Sequence, residues 1–224
     1  MKKLIITALC LCLGFSAFAG EKFENIVGAG LTLPVSSTKY KADNKDDDTR
    51  AQIGLGADLF WVGIMKDLGL AFKADFAIDG IIKTEFDDFD LNGVKMGDVF
   101  EKKLLGEISL DIGAGYAFIR NDKFTLAAFG VIGVTAATYN YEATFLGETG
   151  KITIKSASFD FGADIFANYK IAKGFGVYAD LAFKGMAGST TSSNEIPHTP
   201  EAKDVSSSLI GFKFAPTIGA SFAF

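Results

Sequence analysis

The sequence predicts an all-β protein, namely an eight-stranded antiparallel up-and-down transmembrane β-barrel. First, eight long segments alternate apolar and polar residues, the period of a strand that has one face against apolar surroundings. Second, the breaks between these segments alternate between tight turns and longer loops, as in outer-membrane barrels. Third, 49% of the residues are hydrophobic, yet no run of about 18 apolar residues that could form a spanning helix follows the N-terminal segment.

The N-terminal segment has the features of a secretory signal peptide. Two lysines precede an apolar stretch at residues 4–15, and a small-x-small cleavage motif ends at Ala19. We predict that residues 1–19 are removed ahead of Gly20. Residues 20–224 then form a single barrel domain, since barrels of this length are routinely one unit.

Removal of this segment changes the chemistry that the chain can carry. Cys10 and Cys12 both lie within it, so we expect neither a disulfide nor a thiolate metal site. A lipoprotein would need small residues before the acylated cysteine, where this chain has Leu9 and Leu11. Loss of the two N-terminal lysines leaves 20 basic and 27 acidic residues, a net charge near −7. This balance argues against nucleic acid as a partner, because nucleic acid requires a basic surface.

The eight strands follow from the alternation, taken in chain order. Strand three, for example, alternates Leu70 and Phe72 with Lys73 and Asp75. Strand five is apolar on both faces near residues 127–135, and its phase stays open. We predict strands near residues 23–37, 51–64, 70–91, 94–119, 124–146, 151–170, 175–190 and 205–224.

The connections between these strands fall into two classes. Asn92-Gly93, between strands three and four, is a strong hairpin signal and predicts a type I′ turn. An even number of strands places both termini on the periplasmic side and the long loops outside the cell. The predicted tight turns are residues 65–69, 120–123 and 171–174, and the longer connections are residues 38–50, 146–151 and 191–204.

Charged residues on the polar faces predict a charged barrel interior. A soluble lipocalin-like barrel would instead point its charges outward and its apolar face into a ligand cavity. The apolar faces here carry more large side chains than an eight-stranded lumen could hold. This favours a membrane barrel, with the apolar face outward and the charges inside. The predicted lumen residues are Asp58, Lys73, Asp75, Asp79, Lys83, Glu107, Asp111, Asp160, Asp164, Asp180, Lys184 and Lys213.

Aromatic residues gather where the two membrane interfaces are expected. One predicted girdle lies near the periplasmic ends and consists of Tyr116, Phe118, Phe124, Tyr169, Phe175, Phe222 and Phe224. The other lies near the outer ends and consists of Tyr139, Tyr141 and Phe145.

The last strand alternates to the final residue, with Ile218, Ala220, Phe222 and Phe224 on one face. Together with the signal peptide, the eight strands and the turn asymmetry, this ending makes the chain resemble the small outer-membrane barrels of the OmpA-transmembrane, OmpX and OmpW type. The resemblance implies that the barrel-assembly machinery reads these four residues and that outer-membrane lipid surrounds the barrel. Pro216 departs from the pattern because it cannot donate to a ladder. We expect either a bulge at Pro216 or an irregular neighbour opposite it.

The inward charges allow two interpretations. Eight strands leave an interior only wide enough for side chains, so a packed plug of paired carboxylates and lysines is one of them. The other is a narrow, cation-preferring aqueous pathway, because acids outnumber bases eight to four among the predicted lumen residues.

Other motifs give weaker signals for chemistry. Residues 88–93 match the first half of a calcium loop, but Val99 stands where its final Glu belongs, and the acidic run 46–48 reads as a solvated loop. His198 is the single histidine and sits between prolines in a loop, which gives no support for a packed catalytic base. We therefore expect no enzyme and no cofactor.

The upper part of the strand three–four hairpin is unusually apolar. Its residues either pack on neighbouring strands or form a sticky edge or pocket for a host or surface ligand. Two functions stay open: a structural, adhesin-like protein that displays its loops, and a narrow porin-like or hydrophobic-solute transport barrel. The apolar residues are Phe86, Phe89, Leu91, Val94, Met96, Val99 and Phe100.

Overall fold

The computed structural model describes residues 22–41, 48–84, 90–91, 94–95, 101–145, 148–195 and 202–224. Every regular element in this part of the chain is a strand, so the all-β prediction is confirmed. No helix within these residues is long and apolar enough to cross a bilayer. The strands are β1 (Phe23–Thr32), β2 (Val35–Lys41), β3 (Asp48–Met65), β4 (Leu70–Thr84), β5 (Asp90–Leu91), β6 (Val94–Lys95), β7 (Glu101–Arg120), β8 (Phe124–Phe145), β9 (Glu148–Lys170), β10 (Phe175–Glu195) and β11 (Ala202–Ala223).

Nine of these strands form one closed antiparallel sheet. β1 and β2 both pair with β3 on one side and with β11 on the other, so they are two halves of a single wall position. The ring therefore has eight positions, and the predicted eight-stranded antiparallel barrel is confirmed with its first strand split. At the seam, the Phe224 N–H donates to the Asn25 carbonyl at 2.9 Å, and the Asn25 N–H donates to the Phe224 carbonyl at 3.0 Å.

The split in the first strand accounts for Pro216. β1 and β2 are separated by Leu33 and Pro34, and the Leu33 N–H donates to the Pro216 carbonyl at 3.0 Å. Because the N–H and C=O of a strand residue point to the same side, the missing Pro216 donor faces this break. The β10–β11 register runs through the Leu181–Pro216 pair without a shift. Of the two expectations for Pro216, the irregular neighbour is correct and the bulge is wrong.

Three tight turns and the Asn25–Phe224 backbone pair lie at one end of the barrel, called here the turn end. Residues 65–70, 120–124 and 170–175 make the turns, as predicted. Gly69 and Gly174 hold φ values of 73° and 80°, which glycine adopts without a Cβ clash. The opposite end is called the loop end.

The strands at the loop end differ from the prediction. β8 and β9 pair up to Phe145 and Glu148, so the connection expected at residues 146–151 is much shorter. β10 continues to Glu195, five residues beyond its predicted end. β4 is described to Thr84, and β5 covers Asp90–Leu91, so residues 85–89 of the predicted 70–91 strand lie outside the described residues. β5 and β6 pair separately on either side of residues 92–93, which lie outside the described residues, as does the predicted type I′ turn.

The two faces of the wall have opposite character. Inside the turn end, large apolar side chains form a buried plug, in which the Phe60 ring packs on Phe166 and Tyr178 at centroid distances of 5.2 and 4.4 Å. Outside, an apolar belt surrounds the wall, with Phe161 and Ile218 exposed by 53% and 68%. Burial of the charges and exposure of the apolar side chains exclude the lipocalin-like arrangement.

β8 settles the phase that the sequence left open. Phe129 and Val131 point inward and are buried, whereas Ile132 and Val134 point outward and are half-exposed. On the same phase Tyr139 and Tyr141 lie inside the barrel, buried to 6% and 3% exposure. Their assignment to an outer aromatic girdle is therefore wrong. Both faces of this strand carry apolar residues, so the sequence pattern does not show which face points outward. The Phe145 side chain is outside the described residues.

Aromatic residues of the turn end follow the predicted girdle. Phe124 is partly buried there, and the other six are exposed on the outer surface of the wall. The six are Tyr116, Phe118, Tyr169, Phe175, Phe222 and Phe224.

We expect Phe166→Ala to destabilise the barrel strongly, because its ring is fully buried in the plug. The loss should be about 3–5 kcal/mol in the free energy of unfolding, from lost transfer energy and an unfilled cavity. Urea unfolding in lipid vesicles measures it. Phe161→Ala, on the outer face, is the matched control and should cost much less. Equal losses for the two variants would contradict the placement of the plug.

Candidate functional site

The lumen brings together eleven of the twelve predicted charged residues. Ten are buried and Glu107 is partly buried. Lys83 is the exception, and its lumen placement is wrong. The β3–β4 register shifts between Ile53 and Gly54, so Ile82 is an extra residue and Lys83 falls on the exposed outer face. One inserted residue reverses the alternation of a strand, and the sequence of β4 alone carries no sign of it.

Lys73 forms the charged layer nearest the plug. Its Nζ lies 2.7 Å from Asp164 Oδ2 and 3.2 Å from Asp75 Oδ2, and it also binds the Asp180 carboxylate. These three acids come from β9, β4 and β10, so one ammonium group ties together both sides of the ring. Each acid is buried, which makes Lys73 essential for their charge balance.

Two further lysines continue the charged column toward the loop end. Lys184 binds the Asp111 carboxylate across the lumen. Lys213 binds Glu107, and its Nζ lies 3.3 Å from Asp79 Oδ2. Six of the eight lumen acids therefore have a lysine partner among the three lumen lysines.

Hydroxyl groups satisfy the remaining two acids. Tyr178 donates its phenolic O–H to Asp58 Oδ1 at 2.8 Å. Asp160 accepts from Thr135 and, at 2.8 Å, from the Ser158 hydroxyl. Sequence reasoning missed Tyr178 and Thr135 as partners. Tyr178 is two residues before Asp180 and so shares its inward face, whereas Thr135 lies where the phase of strand five was open.

Two inward glycines make room for the carboxylates. A Cβ placed on Gly133 would lie 2.1 Å from Asp111 Oδ1, and one on Gly56 would lie 2.1 Å from Asp79 Oδ1. Any side chain at either position would push the acid away from its lysine. These glycines were also missed, because their role depends on a residue of the neighbouring strand.

The charged column leaves little free space. Its internal cavity has a volume of about 20 Å³ and is bordered by Asp58, Asp180 and Lys213. This has room for about one water molecule. The apolar plug lies below it, and above it Tyr139 donates to Gln52 Oε1 at 3.2 Å beside the buried Tyr141. Packed side chains therefore occupy the described lumen on both sides of this cavity.

The charged column has an acidic excess, with eight carboxyl groups against three ammonium groups. Four carboxyl oxygens have no hydrogen-bond partner among the described residues, and in each case the other oxygen of the same carboxyl binds a lysine. The described residues include no group of three or more His, Cys, Asp or Glu side chains arranged to hold a metal ion. The four acids are Asp79, Asp111, Asp164 and Asp180.

The remaining predicted sites divide between described and undescribed residues. On β11, Ile218, Ala220 and Phe222 are exposed on the outer face, and Phe224 follows them at the turn end. The predicted cleavage site at Ala19 and Gly20 and the loop histidine lie outside the described residues. So do the side chains of the acidic run 46–48, of the half calcium loop 88–93 and of the apolar hairpin 86–100.

Similarity to known proteins is confined to structure. No protein-family model matches the chain, and no curated protein matches it. A major outer membrane protein from Thermus thermophilus aligns over 88% of this chain and 99% of its own at 16% identity, with a TM-score of 0.59. The outer membrane protein OprG from Pseudomonas aeruginosa aligns over 90% and 95% at 11% identity, with a TM-score of 0.53.

The attachment invasion locus protein Ail of Yersinia pestis aligns over 91% of this chain and 99% of its own at 11% identity, with a TM-score of 0.40. The first two similarities decide the fold. The chain has the fold of small bacterial outer-membrane β-barrels. At these identities, the activities of those proteins do not transfer to this chain.

We expect Lys73→Met to be the most destabilising of the lumen lysine substitutions, because it leaves three buried carboxylates without their shared ammonium partner. The loss should be about 3–5 kcal/mol in the free energy of unfolding. Urea unfolding in vesicles measures it, with the exposed Lys155→Met as the matched control. A Lys73→Met loss no greater than that of the control would refute the role of this lysine.

Proposed function

We propose that this chain is a non-conducting, non-enzymatic barrel of the bacterial outer membrane that displays its loop-end strands for contact with surface ligands. The observation that carries the proposal is the closed lumen. Lys73, Lys184 and Lys213 each bind a carboxylate inside it, and an apolar plug fills the turn end.

The energetics of the ion pairs oppose a pore. A solute would have to pass the three lysine layers, and separating one buried pair costs about 3–5 kcal/mol when the partner stays unpaired. It would then have to displace packed side chains such as Phe60 and Phe166 from the plug. A closed lumen therefore favours the display role over the porin-like alternative.

The shape of the wall supports display at the loop end. Going along β9 from the turn end toward the loop end, Phe159 is the last large apolar side chain on the outer face. The exposed Lys155 and Lys151 lie beyond it, nearer the loop end. From Phe159 to Glu148 the strand runs roughly 35 Å at about 3.3 Å per residue. Because these outward residues are polar or small, this part of the wall suits water rather than lipid.

The proposed orientation follows from the two ends. The short turns suit the periplasmic side, and the long polar strand ends suit the cell exterior. In this orientation outer-membrane lipid surrounds the apolar belt. The alternating end of β11, with Phe222 and Phe224 exposed at the turn end, suits recognition by the assembly machinery.

Planar-bilayer recording tests the closed lumen. We expect the protein to give no unitary conductance events across applied voltages, because the plug and the ion pairs fill the lumen. Phe60→Ala, Phe129→Ala and Phe166→Ala together should still give no events while the three lysine layers stay paired. Regular unitary events from the unmodified protein would overturn the non-conducting role.

Cysteine labelling on intact cells tests the orientation. We expect a membrane-impermeant maleimide to label Ser206→Cys at the loop end, and to label Asp122→Cys in a β7–β8 turn only after the cells are opened. Both positions are exposed, so access to the side chain itself is matched. The reverse pattern would show that the turn end faces outward.

A further inference from the structure

An apolar groove crosses the outer wall within the belt. It has a volume of about 430 Å³ and spans β3, β4, β7 and β8. Its floor consists of small residues, chiefly Ala114 and Gly130, and its walls include Trp61, Phe72 and Ile132. It lies on the outer wall, and its lining is apolar apart from Lys73, whose ammonium group is held by the lumen acids.

The strand register explains why the groove exists. Phe72, Ala114 and Gly130 are neighbours along one row of the sheet, so a large ring is followed by two positions with almost no side chain. The adjacent row includes Ile132, which is half-exposed and borders the depression. A Cβ placed on Gly130 would meet only the Ala114 carbonyl oxygen, at 3.9 Å. The space above the floor is therefore open.

Trp61 makes one wall rigid. Its Nε1–H donates to Asn25 Oδ1 at 3.2 Å, and its ring lies over Gly63, where a Cβ would come within 2.4 Å of it. The hydrogen bond satisfies the indole donor on an otherwise apolar surface. Because Trp61 is the single tryptophan of the chain, its fluorescence reports on this groove alone.

We propose that the groove holds one acyl chain of a membrane lipid. Phe72 and Ile132, which border it, are 40% and 50% exposed and belong to the apolar belt, so the groove opens directly onto the lipid-facing surface. An unfilled depression there would forfeit dispersion contacts, and water would find few polar partners in it. An alkyl chain matches the apolar lining and the open floor of small residues. The proposal rests on the barrel standing in a bilayer and is independent of whether the lumen conducts.

Bromine quenching of tryptophan emission tests the proposal. The protein is reconstituted in phosphatidylcholine vesicles whose acyl chains are brominated or unmodified. We expect strong quenching of Trp61 by the brominated chains. Ala114→Leu should reduce it about twofold, because the leucine side chain replaces the acyl chain on the floor and removes its contacts. Ala187→Leu, at an exposed position of β10 away from the groove, is the matched control and should leave the quenching unchanged.

A second tryptophan position separates the possible failures. The double variant Trp61→Phe with Phe161→Trp reports on the open belt, where quenching is expected of any embedded barrel. Quenching there but not at Trp61, or equal quenching of Trp61 with and without Ala114→Leu, would overturn the acyl-chain site alone. Absence of quenching at both positions would overturn membrane embedding and this site with it. Cross-linked dimers that disappear in Ala114→Leu would identify a second copy of the chain as the occupant instead.

Discussion

Ring closure is the constraint on which the rest of this structure depends. Eight wall positions enclose an interior only wide enough for side chains, so every inward polar group must find its partner there. Lys73 meets three carboxylates from different strands, and Lys184 and Lys213 continue the pairing toward the loop end. Inward glycines such as Gly133 leave the space that these contacts need. The charge pairs can therefore form only when the ring of strands closes.

The outer wall is under a different constraint, because in a bilayer its surroundings would be hydrocarbon. Large apolar side chains cover most of it, and backbone groups are satisfied by the closed ladder. Where the sheet places small residues side by side, as at Ala114 and Gly130, the wall is left with a depression. Trp61 borders that depression in a fixed orientation, held by Asn25. The inner face of these strands therefore pairs charges, whereas the outer face presents an apolar surface.

Local periodicity explains which parts could be predicted from the sequence. Asp111 and Lys184 were placed inward correctly because alternation along a single strand decides the face of each residue. Lys83 was misplaced because a bulge in β4 depends on its pairing with β3. Tyr139 was misplaced because β8 is apolar on both faces, so its phase depends on what the neighbouring strands supply.

The sequence by itself determined an all-β chain, the number of wall positions, the tight turns and the charged character of the lumen, since each depends on residues close together in the chain. Only the tertiary structure decided which charges meet. Lys73 and Asp180 are 107 residues apart, and their contact requires the ring to close. The same holds for Pro216, which is acceptable in the last strand because the break at Leu33 and Pro34 lies opposite it. Pairing across a closed sheet is set by register, which no single strand encodes.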